Sequence, residues 1–162
     1  MRKIAITSAV LAAFSALLFL ACSCQSENAL ALVNQEEAID KYINSKYADY
    51  PVVRQGGSNR VIVSEGDASL VAAEGDSVRM NLSGFIFTSS PSTQFVSQET
   101  TVELSPKSIV KGLANGLEGA AQGEECYIFF SAKYGYYDAS IGTVPPMSAL
   151  MFHVNVLDIK KN

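Results

Sequence analysis

One histidine, three cysteines and the adjacent glutamates Glu124-Glu125 are the first candidates in this sequence for catalysis or metal binding. None stands at a spacing that such chemistry needs. His153 is the single histidine, and no Cys-x-x-Cys motif accompanies it, so the zinc patterns fail. Glu124 and Glu125 are neighbours in a strand-like segment and point to opposite faces, which makes them a poor acid–base pair. No serine sits in G-x-S-x-G, and the glycines of "GLANGLEG" lack the G-K-[ST] ending of a phosphate loop. Their G-x-x-x-G spacing lies outside any apolar stretch of membrane length. His153, next to Phe152 in an alternating strand, is expected on the opposite, solvent-facing side. What remains is an apolar and aromatic set with few polar groups. A rigid feature, Pro145-Pro146, stands just before a strand-like run. Proline fixes φ and donates no hydrogen bond, so it can bound a sheet without extending the ladder.

The elements that would position such a set are legible as changes of period. In "NQEEAIDKYINSKY", residues 34–47, Ala38, Ile39, Tyr42, Ile43 and Tyr47 recur at helical spacing. Asn34 as cap and Glu37 three residues on form a capping-box pattern. This stripe is expected to pack on the domain, and "ADYPVVRQGGSN" reads as a linker. From Arg60 the period becomes two. "RVIVSEGD" reads as a strand and turn, and "GDSVRMNLSGFIF" alternates Val78, Met80 and Leu82 against Arg79, Asn81 and Ser83. "TSSPSTQFVSQE" reads as loop, "TTVEL" as a short strand, and "SPKSIVKGLANGLEGAAQGE" as a helix loosened by glycines. "ECYIFFSA" is a strand, "KYGYYDASIGTVPPM" a long loop, and "ALMFHVNVLDI" a strand with Leu150, Phe152, Val154 and Val156 on one face. The sum is an α+β arrangement, an antiparallel sheet with one short helix late in the order.

The first residues read as an export signal. Arg2 and Lys3 precede an apolar run from Ile4 to Ala21, ending in "LLFLAC". That ending is similar to a bacterial lipobox, in which Cys22 takes the lipid and becomes the mature N-terminus. An uncleaved membrane anchor is the alternative, since the run is nearly of bilayer length. The expected division is a signal peptide over 1–21, a tether over 22–33, a helical segment over 34–50 and a domain over 51–162. Without residues 1–21 the chain loses two of its twelve basic residues and none of its sixteen acidic ones, so the net charge moves from −4 to −6. No basic block exists, which argues against nucleic acid as a partner. Cys24 lies in the tether and Cys126 in a core strand, so a bridge between them is not expected.

Three segments, "EGDSVRMNLSGFIF", "VELSPKSIVKGLANGLEGAAQGEECYIFF" and "YGYYDASIGTVPPMSALMFHVNVLDI", occur in order over roughly residues 60 to 159. Together they resemble the FKBP-type peptidyl-prolyl cis-trans isomerases, in a bacterial lipoprotein form. The resemblance implies a twisted antiparallel sheet wrapped around one short helix, here with an extra N-terminal helix. It implies isomerisation of X–Pro bonds in exported or envelope proteins, with no cofactor, no metal and no covalent step. It implies that Tyr134 offers its hydroxyl and Val110 its backbone N–H to substrate carbonyls, with Phe152 as the pocket floor. Leu82, Phe95, Ile109, Leu113 and Val144 are implied as the remaining pocket residues, and Val144 stands just before the double proline. Three positions depart from the family pattern. Leu82 stands where tyrosine is usual and Leu113 where tryptophan is frequent, while Val96, not aspartate, follows Phe95. The departures imply a plainer pocket and reduced activity. They keep open a non-catalytic binding module of the same fold and, more remotely, a structural surface lipoprotein. The lipid anchor implies attachment to the cell envelope, at the outer membrane.

Overall fold

The computed structural model describes residues 27–162, so the leader, Cys22 and Cys24 lie outside the described residues. The chain begins with a helix, α1, over residues 27–46. There follow strands β1 (Val52–Gln55), β2 (Ser58–Ser64), β3 (Asp67–Val71), β4 (Ser77–Phe87) and β5 (Pro91–Glu103). A short helix, α2 (Lys111–Leu117), comes next, then β6 (Ala121–Gln122), β7 (Glu125–Phe130), a 3-10 turn (Ala132–Tyr134) and β8 (Ala149–Lys160). Six strands form one antiparallel sheet in the order β1-β2-β7-β8-β4-β5, and β3 and β6 form a small second sheet.

The sheet has two apolar faces, because strand side chains alternate. Val78, Met80 and Leu82 of β4, with Leu150, Phe152, Val154 and Val156 of β8, face α2 and form the main core with Leu113, Leu117, Ile128 and Phe130. The other face carries Val61, Phe87, Phe129, Ala149 and Met151, and α1 covers it with Ile39 and Ile43, each 1% exposed. Tyr42 adds an edge-on contact to Phe87 at 5.3 Å. The glycines of α2 now have a reason. A Cβ on Gly112 would strike the ring of Phe130, and one on Gly116 would strike Ile128, so the helix lies closer to the sheet than side chains would allow. Arg60 of β2 then satisfies the free carbonyls at the helix end, donating to Gly116, Glu118 and Gly119 at 3.1, 3.2 and 3.2 Å.

Three expectations about elements need correction. Asn34 is interior to α1, which runs through residues 27–33 of the expected tether, so it caps nothing. The expected linker contains β1, which pairs with β2 through a turn at Gly56-Gly57 with both glycines at positive φ. The expected loop at residues 88–99 is mostly β5, paired with β4 from Phe87↔Pro91 to Ser77↔Glu103. β5 is an edge strand with most side chains exposed, so its Ser, Thr and Gln residues show no apolar alternation.

Candidate functional site

The sheet curves around α2 and leaves an open cleft of about 390 Å³ beside the helix start. That size suits a small ligand or a residue side chain with its flanking peptide. Leu82 comes from β4 and Phe152 from the adjacent β8, where Phe152 stands opposite Gly84. A Cβ on Gly84 would lie 2.7 Å from Phe152, Phe95 and Val96 alike. The missing side chain therefore lets these three groups close over one spot. Phe152 lies stacked on Phe130, centroids 5.8 Å apart, and meets Phe95 edge-on at 5.6 Å. Such pairs fix a ring in place as well as adding apolar contact. Leu113, 3% exposed, forms the helix side of the cleft, and Ile109 and Val110 approach from the segment just before α2.

Among the groups that can donate a hydrogen bond to a ligand carbonyl, two stand within the apolar part of the lining. Val110 precedes the first helical residue, and its carbonyl accepts from Leu113 and Ala114 at 3.0 and 3.1 Å. Its own N–H has no acceptor among the described residues, as the orphan donors of a helix start generally do not. Tyr136 also lines the cleft, and no described residue bonds its hydroxyl. Burial raises its pKa above the ordinary tyrosine value, so the phenol stays protonated and a donor. Polar neighbours are Gln98 and Ser108, and Lys107 is the charged lining residue; no carboxylate lines the cleft.

The residues expected to form the site divide. Leu82, Ile109, Val110, Leu113 and Phe152 come together in the cleft, and Phe95 leans on Phe152 at its edge. Val144 is 1% exposed within the main core and does not line the cleft. Tyr134 is elsewhere. It ends the 3-10 turn, covers Gly57, and lies under Lys133 and Lys111 at 5.4 and 5.9 Å from its ring centroid. It borders a separate polar cleft with Glu36, Asp40 and Arg54. The tyrosine of the apolar cleft is Tyr136, because the 3-10 turn rotates Tyr134 away and the chain returns two residues later. Val96, Gln98, Lys107 and Ser108 also line the cleft without having been expected there. The rule that strand neighbours alternate could have placed Val96 and Gln98 had β5 been read as a strand.

The acid–base candidates are engaged in pairs. Glu124, 4% exposed at its side chain, stands 3.3 Å from Arg60 and accepts the Ala121 N–H at 3.0 Å. Glu125 meets His153 at 2.8 Å on the face away from the cleft, where His153 stacks on Tyr127 at 4.7 Å. Among the described residues no group of three His, Cys, Asp or Glu side chains could hold a metal ion. Burial and the nearby Glu124 carboxylate hold the Cys126 thiol protonated.

Solved structures share this fold. The crystal structure of the three FKBP domains of wheat FKBP73 superposes with a TM-score of 0.64 at 17% identity, covering 70% of this chain and 52% of that one. The crystal structure of FkpA from Escherichia coli superposes with a TM-score of 0.61 at 23% identity, covering 93% of this chain and 70% of that one. The chain thus spans about half the length of the wheat structure. Comparison with curated proteins gave no match. Comparison with protein families matches residues 69–157, more than half of the chain, to the FKBP-type peptidyl-prolyl cis-trans isomerases. With that match spanning β4 through most of β8, and with the cleft lying wholly inside it, this chain belongs to the FKBP-type peptidyl-prolyl cis-trans isomerase family.

Proposed function

We propose that the protein isomerises X–Pro bonds of exported or envelope proteins, more slowly than a member with the usual tyrosine and tryptophan in its cleft. The observation that carries this reading is an apolar cleft floored by Phe152 and furnished with two unengaged donors, the Val110 N–H and the Tyr136 hydroxyl. Rotation about an X–Pro bond meets a barrier near 18–20 kcal/mol from amide resonance. The cis and trans states differ by only about 0.5–1 kcal/mol. No bond is made or broken, so the catalyst has only to favour the twisted amide over the planar one. The twisted form has lost resonance and charge separation, which suits a dry apolar cavity. Donors fixed on flanking carbonyls hold the peptide while the proline ring sits against Phe152.

The departures bear on rate. Leu113 and Leu82 leave the cleft wider than larger aromatic residues would, and Val96 contributes no carboxylate. Each 1.36 kcal/mol of lost preference for the twisted state is about a tenfold loss of rate. Val96 also favours a second reading, a module that holds proline-containing or apolar segments without turning them over. The two part in NMR exchange spectroscopy of a short proline peptide at substoichiometric protein. Exchange between the cis and trans signals supports the enzyme. Saturable shifts without exchange support the binder.

Attachment through Cys22 to the outer membrane is part of the same proposal, supported by the basic start, the apolar run and "LLFLAC". Two or more acyl chains, at about 0.8 kcal/mol per buried CH₂, give stable anchoring. Cys22→Ala is expected to release the protein from membranes or leave it unprocessed. An unchanged mature mass and unchanged membrane partition would contradict the anchor.

A further inference from the structure

The helix α1 reaches the loop that carries Tyr136 through two adjacent side chains, of which Gln35 makes the shorter contacts. Gln35 donates from Nε2 to the carbonyl of Met147 at 2.6 Å and accepts the N–H of Ala132 at Oε1, 2.9 Å away. Only this orientation of the amide serves both partners, since a carbonyl needs a donor and an N–H an acceptor. Ala132 opens the 3-10 turn and Met147 ends the long loop before β8. Gln35 therefore holds both ends of the segment that carries Tyr136. Glu36 adds a second tie, accepting from the Ser131 hydroxyl at 3.2 Å.

The loop needs such a clamp. Tyr137 and Met147 both have left-handed backbones, at φ 52° and 55°. Residues with side chains hold that conformation where surrounding contacts over-determine it. Here they are linked to each other: Tyr137 donates its N–H to Ala132 at 3.1 Å, and Met147 donates to the Tyr137 carbonyl at 2.6 Å. The chain Ala132, Tyr137, Met147 is closed by Gln35. Residues 138–143 are exposed, and the backbone bonds they make stay within the loop, to Tyr136 and Val144.

We infer that Gln35 is a positioning residue, which sets where Tyr136 stands over the cleft by clamping Ala132 and Met147, and so makes α1 part of the site. The catalytic arm of this inference rests on the isomerase reading; the structural arm does not. The variants are Gln35→Met, similar in length but unable to make either bond, and Gln35→Glu, which keeps the acceptor for Ala132 and loses the donor to Met147. Hydrogen exchange read by mass spectrometry should show residues 132–147 opening about tenfold faster in Gln35→Met, with β4 and β8 unchanged, as a local opening requires. Turnover of a proline peptide should fall about fivefold in kcat with little change in KM, since a transition-state contact is weakened while apolar binding stays. Gln35→Glu should fall in between. Adding Tyr136→Phe to Gln35→Met should cost less than it does in the parent, because the two act through one contact.

Unchanged exchange in the loop, or faster exchange spread evenly over the whole chain, would overturn the inference. Losses that multiply in the double variant would overturn its link to Tyr136. If the parent protein turns over no proline peptide, the isomerase reading falls, and the exchange data alone still decide whether Gln35 clamps the loop.

Discussion

On the isomerase reading, Tyr136 and the Val110 N–H are the donors that hold the substrate at the residue scale, and the Tyr136 hydroxyl is the one that a conservative substitution removes. Tyr136→Phe deletes a hydroxyl and keeps the ring. A hydrogen bond of net worth about 0.5–1.5 kcal/mol corresponds to roughly a two- to thirteenfold loss in kcat/KM. Tyr134→Phe should change kcat/KM little, because that ring packs on Gly57 outside the cleft. Measuring both variants side by side discriminates the two tyrosines directly. The pH dependence follows from the same lining. No carboxylate or histidine lines the cleft, and burial raises the Tyr136 pKa. A phenol with a raised pKa remains a donor until the pH climbs past its ordinary range, so activity should be flat across neutrality and decline only in strong alkali. A bell centred near neutral pH would implicate a titrating group that the cleft does not contain. Leu82, Ile109, Val110, Leu113 and Phe152 followed from the family resemblance of the strand and pre-helix segments that carry them, whereas Val144, implied beside the double proline, lies in the core and outside the cleft. The tyrosine did not follow either. "YGYY" offers several candidates within four residues, and which of them faces the cleft depends on a 3-10 turn that has no periodicity to read.

At the scale of elements, α2 shows how packing can override propensity. Replacing glycine by alanine within a helix ordinarily gains about 1 kcal/mol. At Gly112 the new methyl would meet the ring of Phe130, which is fully buried and stacked on Phe152. Overpacking costs about 1–3 kcal/mol, so a net destabilisation of up to about 2 kcal/mol is expected. Because Phe130 supports the cleft floor, Gly112→Ala should also lower activity at temperatures where the protein is fully folded. Denaturant melts and peptide turnover on the same sample check both. The helix was legible in the sequence, but its glycines looked like weakness until the sheet behind them was known. β5 was missed for a related reason. An edge strand with a solvated outer side needs no apolar alternation, and Ser92, Thr93, Gln94, Ser97 and Gln98 carry loop-like chemistry in a paired strand. α1 begins earlier than its capping-box pattern indicated, because helix continues through residues 27–33 without a break that the sequence marks.

For the whole molecule, α1 is a structural member of the domain and not an appendage. Ile39 and Ile43 are each 1% exposed against the outer face of the sheet. Burying an isoleucine side chain is worth about 1.5–3 kcal/mol, so these two alone contribute about 3–6 kcal/mol before Tyr42 and Tyr47 are considered. A domain of this size has a total stability of about 5–15 kcal/mol. Deleting residues 28–50 would bare Val61, Phe87, Phe129 and Met151 and remove Gln35 from the loop. The expected outcome is a truncated chain with a sharply lowered Tm or no cooperative melt, measured by calorimetry. An unchanged melt would show that the sheet and α2 suffice. The amphipathic stripe was visible in the sequence, and packing against the domain followed from it. Its partner was not visible, because Phe87, Phe129 and Met151 belong to strands buried on both faces, where alternation no longer marks which side is in.

Refolding of a protein limited by one slow X–Pro step decides whether this chain is an isomerase, since that step normally takes tens to hundreds of seconds without a catalyst. An isomerase speeds refolding in proportion to added protein, at substoichiometric amounts, with Tyr136→Phe slower than the parent and Phe152→Ala inactive. Phe152→Ala removes a floor ring at a stability cost of about 3–5 kcal/mol, so its fold is verified first by its melt. A refolding rate unaltered at stoichiometric parent protein, alongside measurable binding of a proline peptide, would contradict isomerase activity and leave a binding module in its place.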